Sequence, residues 1–144
     1  MPAKKLPNKT EIYQLKITLK GVKPPIWRRV EVPANMKLSD LNYLILNVMG
    51  WGGGHLTSFR FGWEEYVNDT AFMFEELDLE GLPMSKTRLD KVLVVEKQKG
   101  LFTYDFGDDW RFNILIEAME ERITRSIKLL ESEGRPPKQY GDWS

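Results

Sequence analysis

Cysteine is absent from the 144-residue chain and histidine occurs once, at His55. The first absence excludes disulfides, thiolate metal sites and a cysteine nucleophile, and the second excludes any site built on several imidazoles. An excess of charge is missing as well, since 21 basic residues face 21 acidic ones, so no global field points to nucleic acid or an anionic membrane. No apolar run approaches the roughly 20 residues that span a bilayer. The start MPAKKLPNKT lacks the apolar centre of a signal peptide. A cytoplasmic protein without membrane contact is the expectation, with no cofactor implied. No internal repeat or low-complexity tract is visible.

What is present suits a globular chain: 42% hydrophobic and 29% charged residues, with enough Trp, Tyr and Phe to fill a core. The length predicts a flexible arm over residues 1–10 and a single α+β domain over 11–144. Charge is unevenly placed. The first 37 residues carry Lys4, Lys5, Lys9, Lys16, Lys20, Lys23, Arg28, Arg29 and Lys37 against Glu11 and Glu31, whereas residues 64–80 are acidic and contain no base. Such blocks usually solvate a surface.

The periodicity predicts a mostly antiparallel sheet with one main helix packed on it. Residues 12–20 alternate with Tyr13, Leu15, Ile17 and Leu19 on one face, and residues 26–32 set Ile26, Arg28, Val30 and Val32 against Trp27, Arg29 and Glu31. Two antiparallel strands follow. Leu41, Leu44, Ile45, Val48 and Met49 recur at helical spacing, so a helix is expected over about residues 39–49, capped by Ser39 and stopped by Gly50. Trp51-Gly52-Gly53-Gly54 then bends into a third strand over residues 55–61. It lacks the Lys and Ser/Thr of a phosphate loop. A short strand is expected near Tyr66, and one helical turn over residues 87–93 with Thr87 or Ser85 as cap.

The most informative stretch is LFTYDFGDDWRFNILIE, residues 101–117. Phe102, Tyr104 and Phe106 alternate before Gly107-Asp108-Asp109, and Trp110, Phe112, Ile114 and Ile116 alternate after it. That is a hairpin whose turn uses the positive φ open to Gly and the backbone-bonding side chains of Asp. Residues 119–130 fit a helical stripe and a strand equally well.

Two constellations carry possible chemistry. His55 with Asp105, Asp108 and Asp109 has the oxygen donors and the single base of a hard-metal hydrolytic site. Turn formation by Asp108 and Asp109, and a salt bridge from Asp105 to an arginine, account for the same residues without chemistry. Nothing in the spacing brings His55 to the hairpin. The other constellation is a binding surface in which Trp27, Trp51, Trp63 and Trp110 interleave with Arg28, Arg29 and Arg60, residue types enriched at interaction hot spots.

KPPIWRRVEVP at residues 23–33, the helix leading to HLTSF at 55–59, and YDFGDDW at 104–110 resemble, in order, the Ri-plasmid ORF-three-like family. The resemblance implies a compact α+β fold with a mostly antiparallel sheet, association with plasmids and mobile elements, and no assigned activity. It also implies that the last patterned segment is a strand leading to a Pro-Pro loop, which favours a strand over residues 123–130, beside 112–117. The chain departs from the family in two places. Phe112 stands where many members have His, and Lys138 and Gln139 stand where many have acids. With those groups gone, the expectation is a non-catalytic binding module with a protein or peptide partner in preference to nucleic acid. A metal-dependent hydrolase or nuclease using His55 and the three Asp residues is the alternative. A structural partner within an oligomer is the third class, and an exposed strand edge would mark it.

Overall fold

A computed structural model describes residues 9–52, 55–69, 81–105, 108–123 and 125–137. The arm expected over residues 1–10 falls mostly outside them. The elements are β1 (Thr10–Leu19), β2 (Trp27–Pro33), α1 (Leu38–Met49), β3 (Thr57–Phe61), β4 (Glu64–Val67), β5 (Leu82–Pro83), β6 (Lys99–Tyr104), β7 (Trp110–Arg122) and β8 (Lys128–Glu133). All eight strands lie in one sheet in the order β5-β4-β3-β6-β7-β1-β2-β8. Neighbours are antiparallel except β4 and β5, which run parallel, so the sheet is mixed. With one α-helix among the described residues, the architecture is compatible with the α+β expectation.

Alternation decides which face of the sheet is dry. Tyr13, Leu15, Ile17 and Leu19 of β1, Val30 and Val32 of β2, and Phe112, Ile114 and Ile116 of β7 are all buried on one side. Phe59, Phe102 and Phe112 continue that layer across β3, β6 and β7, with ring centroids 4.9 and 5.9 Å apart along the row. Helix α1 covers this face with Leu38, Leu41, Ile45, Leu46 and Met49, while Leu44 and Val48 are only half-buried, so the stripe is turned slightly from the one expected. Gly50 ends the helix as expected, at φ 72°, and the amides of Gly50 and Trp51 take up the Asn47 and Leu46 carbonyls. Ser39 is not the cap. Lys37 occupies that position and supplies no side-chain bond, and Ser39 is buried in the first turn.

Three further expectations change. Residues 84–93 form two 3₁₀ turns, Met84–Lys86 and Leu89–Lys91, and neither is capped by a side chain. Thr87 follows the first and donates its hydroxyl to the Pro83 carbonyl, while Ser85 donates to Asp69. Strand β7 runs to Arg122, so the first part of the ambiguous segment, residues 119–122, continues it as strand. Residues 128–133 are a strand, as the family resemblance implied, but β8 pairs with β2 and not with residues 112–117. The reason is occupancy: β1 pairs with β7 from Phe112 to Arg122, and β6 takes the opposite edge from Trp110 to Leu115. The chain therefore crosses the strand ends and adds β8 outside β2.

Candidate functional site

The end of the β6–β7 hairpin is where the acidic constellation falls. Thr57 of β3 pairs with Tyr104 of β6, and one residue further the Asp105 amide donates to the Leu56 carbonyl at 2.8 Å. This extension of the ladder carries His55 to Asp105, with Nδ1 to Oδ2 at 3.4 Å. Spacing along the sequence does not bring the two together; the contact depends on β3 and β6 being sheet neighbours. Asp105 also accepts from the Asp108 amide at 3.4 Å, so its carboxylate braces the turn. Asp109 is drawn elsewhere, to Arg111, with Nε–Oδ1 3.0 Å and Nη2–Oδ2 2.9 Å. The three carboxylates are thus divided, and among the described residues no three of His, Asp and Glu gather to hold a metal ion.

Asp105 and Asp109 both stand at positive φ, 57° and 59°. The turn therefore places two aspartates in the left-handed region, which Asp enters more readily than most residues. Gly107, expected to carry that conformation, and Phe106 lie outside the described residues, as do Gly53 and Gly54.

Behind the pair sits an aromatic cluster centred on Trp51, with Tyr104, Phe112 and Trp110 at 5.1, 5.3 and 5.5 Å. Trp51 is buried, and its indole N–H donates to the Pro137 carbonyl at 2.8 Å, tying down the segment after β8. Tyr104 donates its hydroxyl to the Gly52 carbonyl at 2.8 Å. Trp110 is half-buried, and its own indole N–H is enclosed with no acceptor among the described residues. Phe112 is fully buried against Trp51. Lys138 and Gln139 lie outside the described residues.

The aromatic-arginine constellation is split by the pleat of β2. Arg28 points to the covered face and is buried. Its guanidinium donates to the carbonyls of Val48, Trp27 and Glu133 at 3.0, 2.9 and 3.0 Å, joining the end of α1 to β8. Burial lowers its pKa from the ordinary arginine value. Arg29 points the other way, onto the open face of the sheet. It donates to both oxygens of Glu117 at 2.6 and 3.0 Å and to Glu131 at 2.6 Å. Those bonds tighten its hold on its proton, and in return the Glu117 carboxyl titrates below its usual range. Trp27 lies beneath two cations, with Lys16 4.7 Å and Arg29 4.9 Å from its ring. Trp63, in the turn between β3 and β4, is 96% exposed, and Arg60 beside it pairs with Glu65 at 2.9 Å.

One feature was absent from the sequence reading. All six residues of β8 are exposed, and among the described residues β2 is its one strand neighbour. Ile127, Leu129 and Leu130 stand 54%, 50% and 39% exposed. The segment ITRSIKL at residues 123–129 fits a helix and a strand alike, and a half-buried strand shows the same alternation as an exposed one.

The chain has uncharacterised relatives. It is 32% identical over 135 residues to the uncharacterized protein y4hQ of Sinorhizobium fredii, covering 90% of this chain and 66% of that protein. It also matches the crystal structure of MM3350, a protein of unknown function from Methanosarcina mazei Go1, with TM-score 0.75 and 28% identity over 93% of this chain and 76% of that one. No helix among the described residues is long and apolar enough to cross a membrane. With residues 11–143 matching the plasmid pRiA4b ORF-3-like proteins, from the first strand through the GDDW turn to the Pro-Pro segment, the chain belongs to that family.

Proposed function

We propose that the protein is a non-catalytic interaction module that binds a protein partner through the outer edge of β8. The observation that carries this reading is the state of that strand: it ends the described sheet, all its residues are exposed, and Leu129 and Leu130 are among them. An uncovered strand edge offers a row of backbone donors and acceptors to another strand, and exposed leucines add apolar contact. Lys128, Glu131 and Glu133 give the edge enough charge to stay in solution when alone.

The other two readings draw less support from the same geometry. A phosphate-binding surface needs free guanidinium groups, and Arg28 is buried under three carbonyls while Arg29 is held by two carboxylates. Metal-dependent hydrolysis needs at least one more ligand beside His55 and Asp105, and Asp109 is engaged by Arg111. A photo-cross-linking amino acid placed at Ile127 or Leu129, with Trp63 and Asn113 as control positions, tests the reading in cells. One discrete protein adduct from the β8 positions and none from the controls is the expected result. Equal labelling at all four positions, or none at any, counts against it.

A further inference from the structure

We infer that the partner is a second copy of this chain, met by β8 lying antiparallel to its own twin about a two-fold axis. The inference rests on the interaction reading above and goes beyond it by naming the partner. Residues directly opposite each other in an antiparallel pair share a face, so a regular strand pairs with itself only in registers whose residue numbers sum to an even value. Strand β8 is not regular. Its pairing with β2 shifts between Arg29↔Glu131 and Val30↔Leu129, which leaves Leu130 as an extra, bulged residue. Lys128 opposes Glu31 and Glu131 opposes Arg29, so both belong to the open face, while Leu129 opposes Val30 on the covered face. Between those two charged positions Leu129 and Leu130 are successive.

Counting back from the open-face Glu131 puts Leu130 on the covered face beside Leu129, and of the self-registers that pair all of residues 128–131 one obeys these faces. It sets Leu129 against the partner's Leu130, and Lys128 against the partner's Glu131, each twice by symmetry. Opposite charges meet on the open face and leucines meet on the face that carries α1. A shift of one residue breaks these faces in either direction, since one register opposes Leu130 to Lys128 and the other opposes Leu129 to Glu131. On the α1 side, at Ile127, lies a groove of about 430 Å³ lined by Met36, Tyr43 and Leu44 together with Asp40, Asn47 and Arg125, which widens the contact beyond a single strand pair.

Sedimentation equilibrium on the full chain tests the inference. The expected result is a reversible dimer. Lys128→Glu and Glu131→Lys should each weaken it about ten-fold, because each sets like charges opposite each other, and the double reversal should return it to within about three-fold of the original. Glu131→Lys also removes a carboxylate from Arg29 and Lys128→Glu sets a carboxylate opposite Glu31, so Leu129→Glu, which leaves both of those contacts intact, supplies an independent arm: dimer lost, with thermal unfolding matching the original when both are compared at a concentration where both are monomeric. A wild-type chain that stays monomeric at high concentration overturns the inference, and so does a dimer indifferent to all three single changes. A monomer that still gives β8-specific adducts to a different protein removes self-pairing and leaves the interaction reading standing.

Discussion

Arg28 and Arg29 are adjacent in sequence and opposite in role. A guanidinium can be buried when carbonyls take up its donors, as three do for Arg28, and it can be neutralised at a surface when carboxylates flank it, as Glu117 and Glu131 do for Arg29. The alternation of residues 26–32 already put the two on different faces, but the acceptors come from distant segments and leave no local trace. Tyr13 makes the same point in a form that pH can read. Its hydroxyl donates to the Leu93 carbonyl at 2.6 Å, and burial, reinforced by the charges of Glu11 and Asp90, pushes its pKa up to about 12 from 10.0. A raised folded-state value means that this stabilisation is full below the unfolded pKa near 10 and is lost as pH climbs toward 12. The melting temperature of the wild-type chain should therefore fall between those values. Tyr13→Phe should flatten part of the fall while costing about 1 kcal/mol at neutral pH through the lost hydrogen bond. Tyr66, whose pKa burial also raises, accounts for a remaining slope. An identical alkaline profile in Tyr13→Phe would show that this hydroxyl is not a source of the dependence.

At the scale of elements, the contact between β3 and β6 makes both the core and the His55–Asp105 pair. Gly100 of β6 is buried, and a Cβ added there would come within 2.3 Å of the ring edge of Phe61, itself stacked on Phe59 at 5.7 Å. Gly100→Ala should cost about 1–3 kcal/mol through overpacking, read as a lower urea midpoint, and Phe61→Leu in the same chain should recover part of that loss by giving the methyl room. A midpoint unmoved by Gly100→Ala would mean that the ring is free to shift. The elements themselves were largely legible. β1, β2, α1, β3 and the β6–β7 hairpin all stand within a few residues of where alternation and helical spacing put them, because each buries one face and so repeats with its own period. Two misreadings share one cause. The N-cap fell on Ser39, and the fold-back of β8 fell beside residues 112–117. Capping geometry and strand neighbours are set by what else packs nearby, and neither leaves a period in the sequence.

For the whole molecule, zero net charge and the pairing of its arginines lead to one expectation about nucleic acid. Labelled single- and double-stranded oligonucleotides should show no submicromolar affinity at moderate salt, and weak binding at low salt should fade steeply as salt rises. Tight binding lost in Arg29→Ala would overturn that expectation and with it the preference for a protein partner. The sequence by itself determined which chemistries were closed, through one His and no Cys, which faces of the main strands are dry, and which family motifs the chain carries. Only the tertiary structure decided that His55 meets Asp105, that Asp109 goes to Arg111, that Arg28 is buried, and that β8 is the last strand of the sheet among the described residues. The physical reason is range. Periodicity records what each residue needs from its own element, whereas a site is made by the order of strands across a sheet, which joins residues dozens of positions apart and is fixed by which edges are already occupied.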